Sequence, residues 1–128
     1  MRFKIVLWFL GFALQKAAKT NPRFQKKLEG KNLTLEISSE DGTGYHYIFK
    51  DNTVMSYPGR ASNPKFLSRV HEADLTIRFK SAKIGFKTFV ARDKQFAMIS
   101  GIQNKKISIE GNALFLGWFQ GLAKLATE

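Results

Sequence analysis

The chain has 128 residues, 44% of them hydrophobic, enough to build one buried core. It contains no cysteine, which excludes a disulfide framework and a thiolate metal site and suits a reducing, cytoplasmic compartment. The net charge of +11 points to an anionic partner, either nucleic acid or a lipid head-group surface. That charge is unevenly placed. Residues 1–31 carry Arg2, Lys4, Lys16, Lys19, Arg23, Lys26, Lys27 and Lys31 against Glu29 alone, which is +7 of the +11.

In chain order, residues 3–19 read as a helix around an uncharged run from Ile5 to Leu14. A bilayer-spanning helix needs roughly 20 apolar residues, so this one is too short to cross. It has the basic start and short apolar middle of a signal peptide, but no small-x-small cleavage site follows it, and it is expected to be retained. Two readings of residues 1–20 stand side by side. A helix apolar on most sides packs into a core. Alternatively, Trp8, Phe9 and Phe12 enter a membrane interface while Arg2, Lys4, Lys16, Lys19, Lys26 and Lys27 hold anionic lipid. Both hold if the helix is the lid of an apolar cavity.

Asn21-Pro22 ends that helix, and a further turn from Phe24 to Leu28 closes at Gly30. Three antiparallel strands follow. Leu33, Leu35 and Ile37 alternate with polar residues, Tyr45, Tyr47 and Phe49 alternate with His46, Ile48 and Lys50, and Asp51-Asn52 makes a tight turn into Thr53–Tyr57. A loop from Pro58 to Pro64 precedes a short helix expected over Phe66–His71. Ala73–Phe79 alternates as a fourth strand. Ser81 caps a helix bearing Ala82, Phe86, Phe89 and Val90, and Asp93 caps a shorter turn through Phe96 and Met98 that should stop at Gly101. Lys105–Glu110 is a fifth strand. After Gly111-Asn112 a last helix carries Phe115, Trp118, Phe119, Leu122, Leu125 and Ala126 as one broad stripe. The fold class is α+β, a single domain over 1–128 with one five-stranded sheet covered by helices on one face.

Catalytic chemistry finds little support. A nucleophile needs a base and an orienting partner, and of the two histidines His46 lies on the polar face of a strand and His71 in a turn. No metal-binding histidine pair, paired carboxylates or phosphate loop is present, so neither enzymatic activity nor a cofactor is expected. Nucleic-acid binding fares little better. Gly85-Phe-Lys-Thr-Phe-Val90 echoes an RNA-recognition core, but Phe86 and Phe89 are three apart, an odd offset that puts them on opposite faces of a strand.

From Ala73 onward the chain resembles the sterol carrier protein type 2 family. The likeness rests on Ala73-Asp-Leu-Thr-Ile77, Ile84-Gly-Phe-Lys-Thr-Phe89, Phe96-Ala-Met-Ile-Ser-Gly101, Lys106-Ile-Ser-Ile-Glu-Gly111 and the closing helix Leu114–Leu125, and with the upstream meander it spans about residues 25–126. The resemblance implies a mostly antiparallel five-stranded sheet, helices over one face, and between them an apolar tunnel for a fatty acyl chain, an acyl-CoA, a sterol or a prenyl lipid. Burying a methylene gains about 0.8 kcal/mol, so such a ligand needs no catalytic group to be held. The candidate lining is Phe79, Phe86, Phe89, Phe96, Met98, Phe115, Trp118, Phe119 and Leu122; as sequence, each reads equally as core filling. Two features depart from the family: extra length at Gly101-Ile-Gln-Asn-Lys105, and the long basic apolar N-terminal helix. Small relatives that act as accessory factors in ubiquinone biosynthesis suggest an alternative, a scaffold whose N-terminal helix docks a partner or a second copy. The expected partners are an apolar lipid and an anionic membrane surface, with the protein cytoplasmic and membrane-associated.

Overall fold

In the computed structural model the described residues are 2–59 and 73–127. The first helix, α1, runs from Arg2 to Thr20, and α2 from Pro22 to Leu28. Strands β1 (Leu33–Ser39), β2 (Gly44–Lys50) and β3 (Thr53–Pro58) form the meander. Then come β4 (Leu75–Phe79), α3 (Ala82–Phe89), α4 (Lys94–Gln103), β5 (Ile107–Gly111) and α5 (Leu114–Thr127). The short helix expected over Phe66–His71 lies outside the described residues, as does most of the loop beginning at Pro58.

Local chemistry sets most boundaries. Asn21 separates α1 from α2, its side-chain oxygen accepting from the N–H groups of Arg23 (3.0 Å) and Phe24 (3.2 Å), while Pro22 starts the helix where no amide hydrogen is needed. Ser81 caps α3 by accepting from Ile84 N–H, and Asp93 caps α4 by accepting from Phe96 N–H. Asp51 and Asn52 both take positive φ (53° and 62°), which gives the two-residue turn a twist matching its flanking strands.

One expected boundary is corrected. Helix α4 does not stop at Gly101; it continues through Ile102 to Gln103, and the extra residues before β5 are its final turn. Gly101 is buried in mid-helix because a Cβ there would overlap the Ile107 side chain. The glycine permits close helix–strand packing, where a sequence reading takes it as a terminator. The turn into β5 is made instead at Lys105, with φ 61°.

The sheet order is β3-β2-β1-β4-β5, antiparallel throughout except for the parallel β1–β4 pair. On one face Leu35 aligns with Tyr47 and Leu75, and Ile77 with Ile37 and Ile109; the helices pack here. The nearest helix is α1. Phe3, Leu7, Leu10, Leu14 and Ala17 are buried on its sheet side at alternating three- and four-residue spacing. Gly11 lets it approach β3 closely, since a Cβ would sit 2.8 Å from Ser56 Oγ. Tyr47 donates its hydroxyl to the Leu7 carbonyl at 2.7 Å, tying sheet to helix.

The opposite face is also buried at Thr34, Glu36, Ser38, His46 and Thr76, although the alternation alone reads it as a wet surface. Glu36 pairs with Arg78 at 3.0 Å and accepts from Ser38 Oγ at 2.7 Å. Arg78 also reaches Glu110 at 3.5 Å. His46 is fully buried and stacks on Tyr57, with 5.4 Å between ring centres. Its Nδ1 lies 3.0 Å from the Gly59 carbonyl, which can only accept, so Nδ1 carries a proton, and Nε2 has no hydrogen-bond partner among the described residues.

Candidate functional site

The residues that sequence selects as a lipid lining come from β4, α3, α4 and α5, and the fold collects most of them. Phe79, Phe119 and Leu122 are fully buried; Phe86, Phe89, Met98, Phe115 and Trp118 are half-buried against the same core. They form two aromatic groups. In the first, Phe3 at the start of α1 meets Phe79 edge-on at 5.5 Å and Phe89 at 6.1 Å, with Phe79 and Phe89 6.0 Å apart. In the second, Phe49 of β2 meets Trp118 at 5.1 Å and Phe119 at 6.5 Å, and Phe115 lies 6.5 Å from Trp118. The Trp118 indole donates to the Lys27 carbonyl at 3.1 Å, anchoring this group to α2.

Phe96 stands apart. It is 67% exposed, at the edge of an open cleft of about 330 Å³ between α3 and α4 that Ile84, Lys87, Thr88 and Asn104 also line. Two central rings escaped the sequence reading, Phe3 and Phe49. Phe49 was visible as an inward position of an alternating strand. Phe3 was hidden because α1 is apolar on almost every side.

The space between sheet and helices is occupied. Phe3, Leu7, Leu10 and Leu14 of α1 pack into the core against the sheet, each at most 5% exposed. The other side of α1 faces solvent. Trp8, Phe9 and Phe12 are 55%, 57% and 52% exposed, Ile5 joins them at 64%, and the Trp8 and Phe12 rings stack at 6.0 Å. Arg2, Lys4, Lys16 and Lys19 of the same helix are exposed, as are Lys26 and Lys27 of α2. Arg2 lies over the Phe86 ring at 5.7 Å, holding the start of α1 against α3. No helix among the described residues is long and apolar enough to cross a membrane.

A five-stranded mixed sheet in this order, with its helices on one face, is a sterol carrier protein 2-like fold. Among solved structures, the chain is similar to the UbiJ-SCP2 ubiquinone synthesis protein, with a TM-score of 0.59 and 20% identity over 96% of this chain and 92% of that one. It is also similar to the apo form of sterol carrier protein 2 from Yarrowia lipolytica, with a TM-score of 0.57 and 13% identity over 91% and 88%. A stretch of the inverting sec-alkylsulfatase Pisa1 from Pseudomonas matches at a TM-score of 0.51 and 21% identity, covering 77% of this chain but only 14% of the sulfatase. No family model matches the chain, and no curated protein matches it in sequence. These likenesses establish the fold.

Proposed function

We propose that this protein binds and transfers an apolar lipid without chemically converting it, as a single domain at a cytoplasmic membrane surface. Helix α1 serves as both lid and membrane contact. The observation that carries this reading is the two-sided α1: its inner stripe fills the layer between sheet and helices, while its outer strip of Ile5, Trp8, Phe9 and Phe12 stays exposed. On an anionic membrane the outer strip enters the interface and the flanking lysines meet lipid phosphates. The inner stripe then gives way to the lipid chain, whose walls are Phe79, Phe86, Phe89, Met98, Phe115, Trp118, Phe119 and Leu122, with Phe96 at the rim.

The energies allow the exchange. Uncovering Phe3, Leu7, Leu10 and Leu14 costs about 1.5–3 kcal/mol each, roughly 6–12 kcal/mol in all. A chain of about fifteen methylenes at about 0.8 kcal/mol each returns roughly 12 kcal/mol. The return meets the cost over its whole range, and insertion of the outer aromatics into a membrane adds to it. The likeness to sterol carrier protein 2 supports the lipid class.

Native mass spectrometry of the purified protein, followed by organic extraction, tests this directly. A stoichiometric acyl, sterol or prenyl species is the expected result. A clean apo mass, with no uptake of a fluorescent fatty acid at micromolar concentration, would sink the carrier reading. The filled interior favours one second reading, a scaffold like the ubiquinone synthesis protein it resembles, in which the outer strip of α1 docks a protein partner or a second copy. A clean apo mass together with a stable complex or dimer lost on Trp8→Ser substitution is what that reading expects.

A further inference from the structure

An open cleft of about 520 Å³ lies between α2 and α5, lined by Arg23, Lys26, Lys27 and Lys124 with Gly121 and Leu125. Its lining holds four cations and no carboxylate. Between described residues the ion pairs belong to Arg78, on the far face of the sheet, so these four cations have no acidic partner there. Lysines near helix C-termini are favoured by the helix dipole, and that alone accounts for part of the cluster. Each C-terminus carries only about −0.5 charge, so two of them leave roughly +3 uncompensated. The helices carrying these charges are braced. Gln25 donates to the Ala18 carbonyl at 3.0 Å, and Trp118 donates to the Lys27 carbonyl at 3.1 Å, joining α2 to α1 and to α5. Gly121 leaves the α5 wall of the cleft without a side chain, and a Cβ there would be in ordinary contact with Lys27 Nζ at 3.4 Å.

We propose that this cleft binds a phosphate monoester or diphosphate group. Charges of about −2 to −3 match the uncompensated +3, and guanidinium and ammonium donors suit phosphate oxygens. The assignment deepens the lipid reading by giving the cargo or the membrane lipid a phosphorylated head, and it rests on that reading for the apolar part of the ligand. Leu125, from the apolar stripe of α5, lines the same cleft and gives a phosphorylated ligand an apolar contact beside the four cations.

The test titrates the full chain with inorganic diphosphate, followed by amide NMR, alongside flotation on phosphatidylcholine vesicles containing either phosphatidic acid or phosphatidylglycerol at equal surface charge. Saturable shifts confined to α2 and α5 are expected. The pair Lys26→Gln with Lys124→Gln should weaken diphosphate binding on the order of tenfold or more, the loss of two charge-assisted contacts. Lys50→Gln with Lys83→Gln removes the same charge elsewhere and should leave it unchanged. Gly121→Phe should block the cleft with all charges intact, its melting transition confirming the fold. Equal weakening in both lysine pairs, or the absence of saturation, overturns the proposal in favour of diffuse charge.

The vesicle arm separates the sources. A preference for phosphatidic acid that the cleft variants lose identifies a lipid head, whereas diphosphate binding without that preference identifies a soluble phosphate compound. Lipid extraction on the same samples keeps the two readings distinguishable. Extracted cargo with no diphosphate binding removes the cleft alone, and saturable diphosphate binding with no cargo removes the carrier alone.

Discussion

Two helix glycines, one in the middle of α1 and one at the end of the first turn of α5, have opposite consequences. Gly11 sits in α1 where a Cβ would meet Ser56 Oγ at 2.8 Å and Tyr47 Cε1 at 3.2 Å. Gly117 sits in α5 with nothing within 4 Å of its added Cβ. Helix propensity favours alanine over glycine by about 1 kcal/mol at either position. At Gly117 that gain is unopposed, so Gly117→Ala should stabilise by roughly 0.5–1 kcal/mol. At Gly11 overpacking costs about 1–3 kcal/mol and outweighs it, because Ser56 and Tyr47 lie in the sheet and have little room to yield. Urea midpoints of the two variants, moving in opposite directions, check this; a stabilised Gly11→Ala would mean that α1 lies less tightly on β3. The sequence presents both as ordinary helix glycines. What separates them is a neighbour more than forty residues away.

At the scale of the element, α1 joins the fold to the proposed function. Its outer aromatics contribute nothing evident to the core, so removing them should spare stability and abolish membrane association. The triple variant Trp8→Ser, Phe9→Ser, Phe12→Ser is expected to melt within about 1 kcal/mol of the parent, as surface substitutions do. It should lose at least tenfold in cosedimentation with anionic vesicles, three interfacial aromatics being worth well over 1.4 kcal/mol. Unchanged vesicle binding would leave the strip to a protein partner. That residues 3–19 form a helix was legible from the apolar run and its basic flanks. Which side it buries was not, because a helix with apolar residues all round has no preferred face until the sheet beneath it supplies one. Helix α4 makes the same point: its cap at Asp93 was legible, its end was not, because Gly101 answers to the shape of Ile107.

For the whole molecule, the junction of α1 and the sheet sets a pH limit. Tyr47 is buried at that junction, and desolvation, its largest perturbation, pushes the phenol well above its ordinary value near 10. Tyr45, stacked at 6.3 Å, pushes it in the same direction. The folded state therefore keeps its proton where the unfolded chain has lost it. The associated stability is complete below about pH 10 and declines as pH rises above it toward the raised folded value. Urea unfolding at pH 8 and pH 11 should show a steeper loss for the parent than for Tyr47→Phe. The variant begins about 1 kcal/mol less stable through loss of the Leu7 hydrogen bond but has no phenol to ionise. Parallel losses in the two proteins would place the alkaline transition elsewhere.

Periodicity and capping chemistry determined the order of the described elements on their own, because alternation, a ten-residue apolar run and side-chain caps act within a few residues. They also supplied the inner positions of the strands, and the ordered segments from Ala73 onward carried the resemblance whose fold the structure bears out. Tertiary structure alone decided the parallel pairing of β1 with β4, the burial of His46 and Glu36 on the reverse face, and the separation of Phe96 from the other candidate residues. It also brought Arg23, Lys26, Lys27 and Lys124 together from helices about a hundred residues apart. Each of these depends on which surfaces meet across long stretches of chain. Local pattern carries no register for such meetings.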